Sequence, residues 1–179
     1  RQVRYNVFYH PFFAIKFTFP EGWDLDNLPD RLIIRKNNSE VTMISDNLLR
    51  DDIENGLTPK DYLDQNIDKT SFLARNTLLE QKNINNTLPG YTYLYETKSL
   101  SEKSYTRYTV FFDIDDNDKR PKAWIFIKKF KEVNDDYQLK VIDETFTKMT
   151  EDEIAKAKGL RVKVIRFRSG MSYDELANN

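Results

Sequence analysis

The chain has 179 residues, with 28 Lys and Arg against 29 Asp and Glu and a formal net charge of -1. That balance, with the two signs interspersed, excludes a surface built to bind nucleic acid or anionic membrane by charge. The absence of cysteine removes thiolate nucleophiles, disulfides and Cys-ligated metal centres, and the single histidine removes His-pair zinc sites.

Aromatic residues, 12 Phe and 10 Tyr, give the chain enough large apolar side chains for one domain's core. No apolar run approaches the roughly 20 residues that span a bilayer, so no integral membrane segment is expected. The opening residues RQVRYNVFYH lack the charged-then-apolar order of a signal peptide. A chain that begins at Arg1 is read as a processed chain or an excised domain.

In chain order, Arg4–Tyr9 and Phe13–Phe19 read as strands around His10-Pro11, with a stop at Pro20-Glu21-Gly22-Trp23. RLIIR (Arg31–Arg35) and VTMIS (Val41–Ser45) flank a polar stretch and read as a hairpin. Thr58-Pro59-Lys60-Asp61 supplies a capping residue, a Pro at the first helical position and a first-turn acid. A helix from about Pro59 to about Lys69 follows, with Tyr62, Leu63 and Ile67 inward.

Thr77–Lys82, Gly90–Thr97, Tyr105–Ile114 and Ala123–Phe130 read as an antiparallel meander. From Asn134 the period changes, and Tyr137, Val141, Ile142, Phe146 and Met149 define a helical face capped by Asn134 or Asp135. Thr150-Glu151-Asp152-Glu153 repeats a capping box and opens a second helix ending at Gly159. Leu160–Arg168 then alternates apolar and basic residues, with Arg161, Lys163, Arg166 and Arg168 on its polar side. The fold class is α+β, an antiparallel sheet of five to seven strands flanked by helices.

Few residues carry chemistry. Asp113, Asp115 and Asn117 have calcium-loop spacing, but Asp118 stands where the loop needs Gly and Trp124 where it needs Glu. His10 would need a neighbouring Ser and an orienting acid to act as a base. The sequons at Asn37 and Asn85 occur in an Asn-rich chain. Tyr91, Tyr93 and Tyr95, with Tyr105 and Tyr108, form a stripe that is read as packing beneath a helix rather than stacking sugars or bases. No catalytic, cofactor-binding or metal-ligating residue is assigned, and no cofactor is expected.

Two stretches resemble one family. YHPFFAIKFTFPEGWDLDN (Tyr9–Asn27) is similar to the H-P-x-L-x-F-x-F-P-x-G-W-x-x-x-N opening of the PsbP-like C-terminal accessory domain of bacterial HtpX/Ste24-type zinc metallopeptidases. Phe146–Asn179 resembles that domain's close: F-R-x-L-T-x-x-E, an alternating basic strand, then R-P-G-D-T-x-x-x-L-A. Here Ser169-Gly170-Met171-Ser172-Tyr173 keeps only Gly170 of the Pro-Gly-Asp-Thr element, while Tyr173–Ala177 follows the pattern again.

The resemblance implies a PsbP-like sandwich over residues 1–150, and a helix, basic strand and incomplete LysM-like tail over 151–179. It further implies a non-catalytic domain in the periplasm or another extracytoplasmic space, contacting substrate, a protein partner or the peptidase domain of the same chain. Through the tail it implies cell-wall contact. The alternative is a self-contained secreted protein or lipoprotein fragment that binds a small ligand, sugar or metal at the tyrosine face or the Asp113–Asp118 loop.

Overall fold

Period-two alternation in long aromatic strands gives a sheet two apolar faces, and each must be covered. The computed structural model describes residues 2–4, 6–67, 75–97, 102–114 and 120–158. Its strands are β1 (Gln2–Arg4), β2 (Val7–His10), β3 (Ile15–Thr18), β4 (Asp24–Asn27), β5 (Leu32–Lys36), β6 (Ser39–Asn47), β7 (Asn76–Asn85), β8 (Pro89–Thr97), β9 (Ser104–Asp113), β10 (Lys122–Phe130) and β11 (Thr147–Lys148). The helices are α1 (Arg50–Glu54), α2 (Pro59–Asn66), α3 (Val133–Thr145) and α4 (Glu151–Lys158).

All strand pairs are antiparallel, in a seven-stranded sheet ordered β4-β5-β6-β10-β9-β8-β7 and a four-stranded sheet ordered β1-β2-β3-β11. The fold is α+β, as the sequence predicts, but with more strands than the five to seven expected. The extra ones are short. β11 has two residues and β4 reads DLDN, too brief or too polar for alternation to register.

One face of the large sheet turns Leu32, Val41, Phe111, Trp124 and Phe126 toward Phe8 and Phe17 of the small sheet and toward Leu139, Ile142 and Phe146. Trp23 joins this core, and its indole N–H reaches Gln138 at 3.4 Å. The opposite face is covered by α2. Its capping box is formed as the sequence predicts, with Asp61 N–H donating to the Thr58 hydroxyl and Thr58 N–H to the Asp61 carboxylate. Tyr62 and Leu63 pack over Tyr91, Tyr93 and Tyr95.

Gly90 is placed by contact. A Cβ there would lie 2.6 Å from Cδ1 of Phe111, its cross-strand partner, and 3.0 Å from the Val110 carbonyl. Gly90→Ala is expected to cost about 1–3 kcal/mol through overpacking. Urea unfolding should show Phe111→Leu recovering part of that loss in the double variant.

The α3 face departs from expectation. Its buried residues are Asp136, Leu139, Ile142 and Asp143, whereas Tyr137 is 74% exposed and Val141 half-buried. The cap is Glu132, without a side-chain hydrogen bond, not Asn134 or Asp135. Hydrophobic periodicity misplaces the face because two aspartates are drawn inward by cations on the sheet.

Candidate functional site

The buried cations are Arg107 and Lys128, cross-strand partners on β9 and β10. Arg107 forms a two-pronged pair with Asp136, at 2.7 Å from Nε and 2.8 Å from Nη2, and reaches Glu80 at 2.7 Å and Thr92 at 3.2 Å. Lys128 is fully buried, 2.6 Å from Asp143 and 3.2 Å from the Leu139 carbonyl. Burial lowers the Lys128 ammonium below its usual range, although Asp143 opposes the shift. Thr109 joins Thr92 to Asp143 at 3.1 and 3.2 Å. These contacts satisfy one another between sheet and helix, so they lock α3 in place and leave no group pointing at a substrate.

The tyrosine stripe is likewise internal. Tyr93 donates to Asp64 at 2.6 Å and Tyr62 to Asp46 at 2.9 Å. Burial, then the Asp64 bond, pushes the Tyr93 hydroxyl up to about 12. Tyr108 shares that face and lies 6.3 Å from Tyr95, while Tyr105 lies on the other face, stacked on Phe130 at 5.6 Å.

Residue types that remain available converge at one end of the sheet. The turn between β2 and β3 carries Phe12, 83% exposed, then Phe13 and Ala14, whose φ of 54° is unusual for a residue with a side chain. The Ala14 carbonyl accepts from Met149 N–H at 2.7 Å, which pins this turn to the segment leading into α4. Between turn, strand ends and helix lies a cavity of about 560 Å³. Phe12, Phe13, Ala14, Met149 and Ile154 give it an apolar wall, and Asn47, Asp113, Arg120, Lys122 and Lys148 a polar one.

The charges at the polar wall are unequal. Asp113 is neutralised by Lys148 at 2.7 Å. Lys122 donates to Asn47 at 2.8 Å and stands 5.5 Å from the Phe13 ring centroid; its cross-strand neighbour Asp113 is already paired with Lys148, so Lys122 has no ion pair of its own among the described residues. Arg120 is exposed and has no partner among the described residues. Nearby, α4 begins with a capping box in which Thr150 N–H donates to Glu153 at 2.9 Å, and Glu153 also pairs with Lys16 of β3.

Phe13 also lines a smaller cavity, of about 190 Å³, with His10, Asp30, Ser45 and Trp124. His10 accepts from Phe13 N–H through Nδ1 at 3.4 Å, and burial lowers its imidazole below the usual range. Ser45 and Asp30 are present, yet no hydrogen bond joins either to His10, and Asp30 is held by Arg31 at 2.7 and 3.2 Å.

The other residues singled out in the sequence are dispersed. Asp113 is engaged by Lys148, and Asp115–Asp118 lie outside the described residues, as do Arg161, Lys163, Arg166, Arg168 and Gly170. Asn37 sits at the β5–β6 turn with φ of 51°, and Asn85 is exposed at the end of β7. The neighbouring Asn86 is structural, donating to the Asp143 carbonyl at 3.0 Å and the Phe146 carbonyl at 2.5 Å. Arg120, Lys122, Lys148 and Ile154 escaped sequence reasoning because each is an ordinary loop, strand-end or helix residue until the fold assembles them, and Met149, expected on the helical face, lies instead between β11 and α4.

No helix among the described residues is long and apolar enough to cross a membrane, and none of their His, Asp or Glu side chains form a group of three able to hold a metal ion. No family model and no curated protein matches the chain. Among solved structures, the chain is similar to a protein from Bacteroides thetaiotaomicron VPI-5482, with 8% identity and a TM-score of 0.48, over 83% of this chain and 50% of that one. It is also similar to LpqN, involved in cell envelope biogenesis of Mycobacterium tuberculosis, with 10% identity and a TM-score of 0.48, over 76% of this chain and 83% of that one. The chain spans half the length of the first of these.

Proposed function

We propose that the chain is a non-catalytic binding domain of an extracytoplasmic protein, and that it binds through the cavity between the Phe12–Ala14 turn and α4. The observation that carries this reading is the cavity's makeup. An apolar wall with an exposed aromatic at its rim and a few convergent polar groups is the usual form of a small-molecule site, and its volume falls in the usual range of roughly 300–1,000 Å³. The chain's chemically strongest groups support the same reading from the other side. Arg107, Asp136, Lys128 and Asp143 are consumed in mutual pairing, and His10 has no hydrogen-bonded nucleophile or acid among the described residues.

The likeness of Tyr9–Asn27 and Phe146–Asn179 to the accessory domain of HtpX/Ste24-type metallopeptidases supports a setting beside a peptidase. There the cavity would receive part of a substrate or partner. The cavity favours the small-ligand alternative, with a site other than the tyrosine face, which is buried under α2.

The test uses a neutral, environment-sensitive dye such as Nile red. One-to-one binding is expected, abolished in Ile154→Trp, which fills the cavity, with melting unchanged. Binding that survives Ile154→Trp would overturn the site, and casein hydrolysis lost in His10→Ala would overturn the non-catalytic reading.

A further inference from the structure

Two cations with no ion pair of their own among the described residues, beside an apolar wall, define a ligand class. We infer that the cavity selects a small amphipathic carboxylate, its apolar body against Phe12, Phe13, Met149 and Ile154 and its anionic head between Arg120 and Lys122. This rests on the cavity being the binding site and adds the charge of what it binds.

The acids bordering the cavity among the described residues are already satisfied: Asp113 by Lys148, and Glu153 by Lys16. Asp46, beside Asn47, accepts from Tyr62 beneath α2, on the far side of the sheet. Arg120 and Lys122 are thus the charges left over, and they differ in kind. Arg120 presents a planar fork that fits a carboxylate with two parallel hydrogen bonds. Lys122 is already oriented by Asn47 and by the Phe13 ring, so little side-chain freedom is lost when an anion joins it. A neutral ligand would leave both charges unmet, and a cation would be repelled by them.

Three probes with one eight-carbon chain separate the terms: octanoate, octanol and octyltrimethylammonium, each competed against the neutral dye on the full chain. Octanoate is expected to compete at least about tenfold better than octanol, and the ammonium not at all. Arg120→Gln and Lys122→Gln should each narrow the preference for octanoate over octanol about tenfold, a ratio that a change in the cavity's overall affinity would not move. Arg120 is exposed, so that variant keeps its melting temperature. Equal binding of octanoate and octanol, or preference for the ammonium, would overturn the inference while leaving the cavity as a site. Failure of the dye as well would remove both.

Discussion

Arg107→Ala is expected to destabilise the protein by about 3–5 kcal/mol, the cost of leaving a buried partner charge uncompensated. The side chains of Arg107 and Asp136 are only 3% and 10% exposed, so water cannot replace the missing guanidinium at Asp136. Arg107→Lys should lose less, since it keeps the charge, but not be neutral, because an ammonium cannot span both oxygens of Asp136 and also reach Glu80 and Thr92. Replacing both members, in Arg107→Met with Asp136→Leu, should return much of the loss, since a well-packed apolar pair often equals a buried ion pair. Urea unfolding of the wild type, Arg107→Met, Asp136→Leu and the double variant forms the cycle, with Arg107→Ala and Arg107→Lys measured beside it. A loss below about 1 kcal/mol in Arg107→Ala would show that water or a shifted Glu80 reaches Asp136.

The same network gives the protein an acid limit. Burial raises the Glu80 carboxyl, but hydrogen bonds from Lys82 and Arg107 outweigh it and hold the group down at about 2, against 4.5 unperturbed. A carboxylate lowered on folding stabilises the folded state above its unfolded value. That contribution should be present above pH 4.5 and lost as pH falls from 4.5 toward 2. Glu80 is partly exposed, so the effect is modest, and Glu80→Gln should flatten the slope in that window.

Much of the architecture is legible in the chain because it is written in local rules. The Thr58–Asp61 box, the hairpin around Asn37-Asn38 and the meander from β7 to β10 each rest on residues within a few positions of one another. The α3 face is not legible in this way. Asp136 and Asp143 look like solvent residues until Arg107 and Lys128, some 29 and 15 positions earlier, are seen to point at them, and Tyr137 then turns outward in their place. The cavity is harder still, since its walls come from the β2–β3 turn, the ends of β6, β9 and β10, and the β11–α4 segment. Tyr91, Tyr93 and Tyr95 show the opposite case: their alternation places them on one face, and aromatic bulk is enough to bury that face under α2.

Phe146→Ala is expected to cost about 3–5 kcal/mol, as for other fully buried aromatic rings truncated to a methyl group. Phe146 follows the last residue of α3 and is the point where helix and both sheets meet. Its ring centroid lies 4.9 Å from Phe111, 5.1 Å from Phe126, 6.1 Å from Trp124 and 6.3 Å from Phe17. Phe146→Leu should cost less than half as much, because a branched side chain refills most of the space.

The second readout is binding. Trp124 touches Phe146 on one side and Phe13 on the other, the latter at 5.3 Å, so the hole left by Phe146→Ala lies one ring behind the cavity wall. If Phe13 owes its position to that stack, Phe146→Ala should weaken dye binding as well as stability, whereas Gly90→Ala, across the same core at Phe111, should lower stability alone. Equal dye affinity in both variants would show that the wall is held instead by the Ala14–Met149 hydrogen bond and the Lys122–Phe13 contact. The cavity would then be rigid on its own turn, independent of the core behind it.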